Sequence, residues 1–316
     1  MQMGINLPMF HPPRPSQTAT INPVDVALFA NAASPATSIL LANNLNVFEG
    51  TSTTAFAVVA CSGTGNTFID PGVNTGSLWA VGTVTFPSGS TLVVHGSLRT
   101  TGGANESPGQ VSGSVFDPTV IDRQLTTITA TFPVVSGSPF TLNPADPPTT
   151  ISAGAITNIF VNGSTLTINP GSYGDLTVNG GNLTLLPGTY TFTNVTLNTS
   201  GTFQSNGVNA LIRVYVRNTL IFRAACATAT GSPNGYQTSN IRWAAFGTGG
   251  ATLGPRTNPD TNPFRGTIVA MNGPFIIEDG ARTYQGGFFG QSVTVHASAT
   301  VQHVGFSAAA WETPTG

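Results

Sequence analysis

From Leu166 onward the chain repeats one short phrase: Leu166-Thr167-Ile168-Asn169, Leu176-Thr177-Val178-Asn179, Leu183-Thr184-Leu185-Leu186, Tyr190-Thr191-Phe192-Thr193 and Val195-Thr196-Leu197-Asn198, with Thr202-Phe203-Gln204-Ser205 a looser copy. Each unit is too short for a helix and alternates apolar with Thr, which sends the apolar side chains to one face and Thr to the other. Most units begin about seven residues apart, so three of them make a turn of roughly twenty, the scale of a parallel β-helix coil. Asn162-Gly163, Asn179-Gly180 and Asn206-Gly207 fall between units and predict corners of positive φ.

The same style recurs on both sides of this segment. Ser38-Ile39-Leu40-Leu41, Phe56-Ala57-Val58-Val59, Leu78-Trp79-Ala80-Val81 and Thr91-Leu92-Val93-Val94 precede it, and Thr267-Ile268-Val269-Ala270, Phe275-Ile276-Ile277 and Val293-Thr294-Val295 follow. The expected fold is therefore all-β, a parallel β-helix. Residues 1–24 form an extended Pro-rich arm, 25–148 a first solenoid stretch ending in an irregular linker, and 149–316 the main solenoid. Pro8, Pro12, Pro13, Pro15 and Pro23 resist helix and sheet. Met1, Met3, Met9 and Phe10 give that arm an apolar surface with which to lie on a neighbouring subunit. Arg213, Tyr215 and Arg217 alternate with Ile212, Val214 and Val216 and are expected to face outward.

Composition narrows the function. Only 7% of residues are charged against 40% apolar, and the net charge is −2. That is enough apolar surface for a core, too little charge to resist edge-to-edge association, and no electrostatic footprint for nucleic acid. All ten basic residues are Arg, which removes phosphate-loop and Schiff-base Lys chemistry. No segment is apolar for long enough to span a bilayer. The start lacks the regions of a signal peptide, so an exported form is expected to have lost its signal.

Candidate chemistry is sparse, and no cofactor is expected. Glu278-Asp279 is the one adjacent carboxylate pair, and adjacent strand residues point to opposite faces. A polysaccharide-active β-helix enzyme would need clustered carboxylates. His296 and His303 could stack one coil apart and begin a metal site, but no third ligand accompanies them. Cys61 and Cys226 fit no metal spacing and are read either as buried thiols or as a disulfide within or between subunits. Thr165 with Thr167, and Thr189 with Thr191 and Thr193, are T-x-T pairs expected to point outward, the arrangement of ice-binding β-helices and also ordinary strand composition. Asn105, Asn162, Asn182, Asn194 and Asn198 begin N-x-S/T triplets that arise by chance in such a chain.

The run Asn169-Pro170-Gly171-Ser172-Tyr173-Gly174-Asp175-Leu176-Thr177-Val178-Asn179-Gly180-Gly181, followed by Leu186-Pro187-Gly188-Thr189-Tyr190-Thr191-Phe192, resembles bacterial secreted solenoids found beside PilX-type pilus-assembly proteins. The stretch Phe264 to Val295 is similar to their ending and, more loosely, to bactofilin-like polymer-forming proteins. The resemblance implies a right-handed parallel β-helix, export to the cell surface or beyond, and an assembly role without catalytic residues. The leading expectation is a non-catalytic subunit of an extracellular filament or surface layer. Its partners would be copies of itself, through the bare ends of the solenoid or the N-terminal arm. The alternatives are an ice-binding or cell-surface-glycan-binding module and, after them, the enzyme.

Overall fold

The computed structural model describes residues 17–20, 26–31, 37–49, 54–62, 64–89, 91–116, 119–122, 128, 130–154, 156–205, 211–226, 241–254, 264–278, 280 and 282–303. Among them every regular element is a strand, and every strand-to-strand pairing is parallel. The strands stack into a β-helix. The apolar first and third residues of each unit point inward: Leu176 and Val178, Val195 and Leu197, Leu220 and Phe222, and Val293 and Val295 are all almost completely buried. The seven-residue units are not always separate strands. Ile156–Ile168 and Leu176–Leu185 each carry two units through a bend in one long strand.

The order of the coils in space is not their order in the chain. Val26–Ala30 pairs with Phe288–Gly290, Thr37–Leu41 with Val293–Val295, and Asn46–Glu49 with Thr300–His303. The first described coil of the solenoid therefore lies directly on the last, at a seam inside the stack. From the seam the chain climbs to one end, at Val115–Phe116, and crosses back along the outside. It re-enters at the other end with Ser138–Leu142 and returns to the seam. Both sequence stretches thus belong to one continuous ladder.

The returning segment covers one sheet. Ile128, Ala130 and Phe132 lie over the outer side chains Val26, Phe29, Ala60, Tyr215, Ala244, Val269 and Phe289. Tyr215 does face away from the solenoid interior, as alternation requires, but it is fully buried beneath this segment, while Arg217 is exposed. Within the expected arm, Gln17–Thr20 is a strand paired with Thr119–Asp122. Met1, Met3, Met9 and Phe10 lie outside the described residues.

The ends of the stack are internal segments of the chain. At one, Ser138–Leu142 and Thr149–Ile151 form the outermost strands, and exposed Pro139, Pro144, Pro147 and Pro148 lie in and between them. Proline has no N–H to give an incoming strand, so this rim resists extension. At the other, nearly buried Gln110 closes the coil. Its carbonyl accepts from the N–H groups of Val93 and Val94, and its side-chain amide donates to the Pro87 carbonyl at 2.8 Å.

Two of the three Asn-Gly corners are not as the sequence predicted, and Asn206-Gly207 lies outside the described residues. Asn162-Gly163 and Asn179-Gly180 lie within strands, and positive φ falls one residue later, on Ser164 (60°) and Gly181 (83°). A Cβ on Gly181 would also run into the Ser164 carbonyl and the Gly163 backbone. Gly181→Ala should therefore cost about 2 kcal/mol in a denaturant melt, a strained backbone position typically being worth 1–3.

Two tyrosines sit in the interior, each stacked on Phe192. Tyr173 donates to the Asn169 carbonyl at 2.7 Å, and Tyr190 to those of Ile168 and Leu186. Burial pushes the Tyr173 hydroxyl from 10.0 to about 12 and raises Tyr190 as well. The folded state thus favours the protonated phenols. Their contribution to stability is complete below pH 10 and falls as pH rises from there toward 12. Melting temperature measured across that window should drop, and Tyr173→Phe should flatten part of the drop.

Candidate functional site

One face of the solenoid is regular and, among the described residues, uncovered. Its sheet keeps the same register from Ile159 to Phe86, strand after strand, and crosses the seam without a break. Each strand here is buried–half-buried–buried, so one side chain per strand points out. Those side chains fall into a single column: Thr141, Phe160, Thr177, Thr196, Ile221, Thr252, Ile276, Thr294, Leu40, Phe68 and Thr85. Neighbours are about 4.8 Å apart, the spacing of paired strands. None is charged. Six are Thr, whose β-branched side chain is stiff about χ1 and offers a methyl beside a hydroxyl.

Asparagine holds both flanks. On one, Asn179 donates to Asn162 at 3.1 Å and Asn198 to Asn179 at 2.7 Å. On the other, the Asp175 N–H donates to Asn158 Oδ1 at 2.9 Å, and Asn194 Nδ2 to Asp175 Oδ1 at 2.8 Å. These ladders fix side chains that would otherwise rotate, so the surface is preorganised over the three coils that carry Phe160, Thr177 and Thr196.

The carboxylate candidate is occupied. Glu278 and Arg223 form a two-pronged ion pair on the edge of this face, with Arg223 Nε donating to Oε2 at 2.9 Å. The pair holds the Arg223 guanidinium above its ordinary range, through the hydrogen bond first. Asp279 lies outside the described residues. Both partners are about a third exposed or less. Glu278→Gln should still cost no more than about 1 kcal/mol in melting experiments, because solvent screens such a pair.

His296 and His303 do not stack one coil apart. They belong to the same coil, after Val293–Val295 and at the end of Thr300–His303. His303 is buried with Nδ1 3.1 Å from both Glu49 carboxylate oxygens. Among the described residues no three His, Cys, Asp or Glu side chains come together.

Cys61 and Cys226 are buried thiols, not a disulfide. Cys61 lies in Val58–Cys61 and Cys226 in Ala225–Cys226, five coils apart along the stack. That separation is about 24 Å at the spacing of paired strands, beyond the 7 Å or so that a bridge tolerates between Cα atoms.

Thr165 and Thr167 point outward on a short second face, where Thr165 accepts from Asn182 at 3.4 Å and Thr184 from Gln204 at 2.7 Å. Thr189 is half-buried, whereas Thr191 is buried. Arg242, the register partner of Arg213, is also buried, and its guanidinium is pushed down to about 10, by burial first and then by Arg213.

No family model matches the sequence, and no curated protein matches it. Among solved structures, the chain is similar to the crystal structure of an ice-binding protein from an Antarctic bacterium, Flavobacteriaceae. The identity is 16% over 92% of this chain and 81% of that one, with a TM-score of 0.29. The fold stands on the strand registers given above.

No helix among the described residues is long and apolar enough to cross a membrane. The long column is not legible in the sequence, because coil length varies from 17 residues, Phe160 to Thr177, to 31, Ile221 to Thr252. The signal available was the outward second residue of each unit, Thr in most of them.

Proposed function

We propose that this chain is a non-catalytic surface-binding protein, working outside the cell, that docks on ice through the uncharged column from Phe160 to Thr85. The observation that carries the reading is that column's unbroken register. Side chains repeat at about 4.8 Å over nine steps, some 43 Å of surface, without a charge to hold its own hydration shell. A ligand that matches it must itself be periodic, solid and uncharged. The strand repeat is close to the lattice repeat between second-neighbour water oxygens in hexagonal ice, and Thr supplies both a methyl and a hydroxyl at that repeat.

A glycan fits the face less well. Sugar rings stack on exposed aromatic platforms, but Trp243 points into the core and Tyr215 lies beneath the crossing segment. Trp79 faces outward on that other sheet, with the Arg99 guanidinium 5.2 Å from its ring. Phe160 and Phe68 in the column stand eight coils apart.

Extension end to end is disfavoured by the proline-bearing rim. Partition of the purified protein into a slowly growing ice hemisphere tests the reading. Enrichment in the ice fraction over a control protein of similar size is expected; equal exclusion of both would overturn it.

A further inference from the structure

We infer that the seam is an exchange site: copies of this chain join by docking residues 26–116 of one on residues 138–303 of another. The partner is a second copy, and the complementarity already exists, because the surface it would meet is the one occupied in the single chain.

The seam is a full cross-section of the stack held by strand pairing. Its backbone bonds run from Asn31 N–H to the Gly290 carbonyl (3.0 Å), Ala42 to Val295 (2.9 Å), Asn46 to Ala299 (3.2 Å) and Ser298 to Asn43 (2.9 Å). Side chains add Phe29 against Phe289, with ring centres 6.4 Å apart, and His303 against Glu49. No chain connection crosses between these paired strands, since the route from one half to the other is the outer crossing.

The interior changes character at the same place. An aromatic ladder runs Phe203, Phe222, Phe264 and Phe288, with ring centres 5.1 to 6.1 Å apart, and Phe275 stacks on Phe288 at 5.2 Å. Beyond Phe288 the register continues through Leu28, Val59, Leu78 and Leu98. That aromatic ladder thus ends at the plane where the two halves meet, within one continuous apolar core.

The tether is long enough. The stack spans about 48 Å along the sheet that contains Phe288, at the spacing of paired strands. The residues between Phe116 and Ser138 reach about 70 Å when extended, which leaves slack for the two halves of one chain to sit in neighbouring stacks. Exchange of this kind needs no new contact, only release of the seam, release of Ile128, Ala130 and Phe132 from the sheet they cover, and a partner in reach. Reciprocal exchange closes a dimer, whereas head-to-tail exchange continues as a filament. The proline-bearing rim leaves both routes open.

Closure within one chain competes, with an effective concentration on the order of millimolar or lower for a tether of this length. Leu40 and Thr294 are register partners across the seam, about 4.8 Å apart and within disulfide reach. A chain carrying Leu40→Cys is mixed with one carrying Thr294→Cys, denatured, refolded and oxidised. Refolding at about 1 mM should give species of two or more chain masses cross-linked between the two variants. At about a thousandfold dilution single chains should dominate. Single-chain mass at both concentrations, or larger species without the 40–294 cross-link, would overturn the inference. If either variant fails to fold, Asn46→Cys with Thr300→Cys reads the same seam on another sheet.

Discussion

Thr252→Lys should abolish most ice affinity while leaving the fold intact. Thr252 sits near the centre of the outward column, between Ile221 and Ile276, and its side chain is half-buried. A lysine there places an unpaired, strongly hydrated charge within the column, beside Arg223 and Glu278, which are paired with each other, and docking would have to strip that water. We expect about a tenfold or greater loss of thermal hysteresis activity, the size of effect seen when a central interface residue is lost. Melting temperature should move little, because a lysine stem can lie along the face while its ammonium reaches solvent. Ser136→Lys, on the exposed crossing segment away from the column, serves as the control and should retain full activity. Undiminished hysteresis in the double variant Thr196→Lys, Thr252→Lys would remove the face from consideration.

Trp243→Ala carries the largest expected loss of stability. Trp243 is fully buried, with its ring 5.7 Å from Phe203 and 5.8 Å from Phe222, edge-on to both. Deleting it opens a cavity that the coils above and below cannot close without breaking register, at about 3–5 kcal/mol. The indole Nε1 has no hydrogen-bond partner among the described residues. Trp243→Phe also removes that stranded donor, whose burial costs about 1–3 kcal/mol. The phenylalanine variant should therefore melt well above the alanine variant in guanidinium titrations. If the two melt together, the cavity argument fails.

The coil was legible because its cause is local. Alternation of apolar residue and Thr in Leu176-Thr177-Val178 or Val195-Thr196-Leu197 states which way each side chain points, and the structure follows it strand by strand. The order of stacking was not legible, because parallel pairing leaves no turn to mark partners. Nothing in Val26–Ala30 says that its neighbour is Phe288–Gly290. The corners were misread for a related reason. Asn-Gly reads as a turn in isolation, yet Asn162 and Asn179 gain more as rungs of a side-chain ladder, and the reversal moves to Ser164 and Gly181. The face stayed hidden because insertions of different length separate side chains that the fold brings into line.

The seam has a consequence for how the protein is made. Residues 26–116 leave the ribosome before the strands that complete their lower edge exist, since Phe288–Gly290, Val293–Val295 and Thr300–His303 are synthesised near the end. Until then the early coils carry a naked apolar floor, and the contacts that cover it span more than 250 positions of chain, as His303 and Glu49 do. Such late, distant closure makes for slow maturation. Until it closes, that open edge can be met by any strand that presents itself.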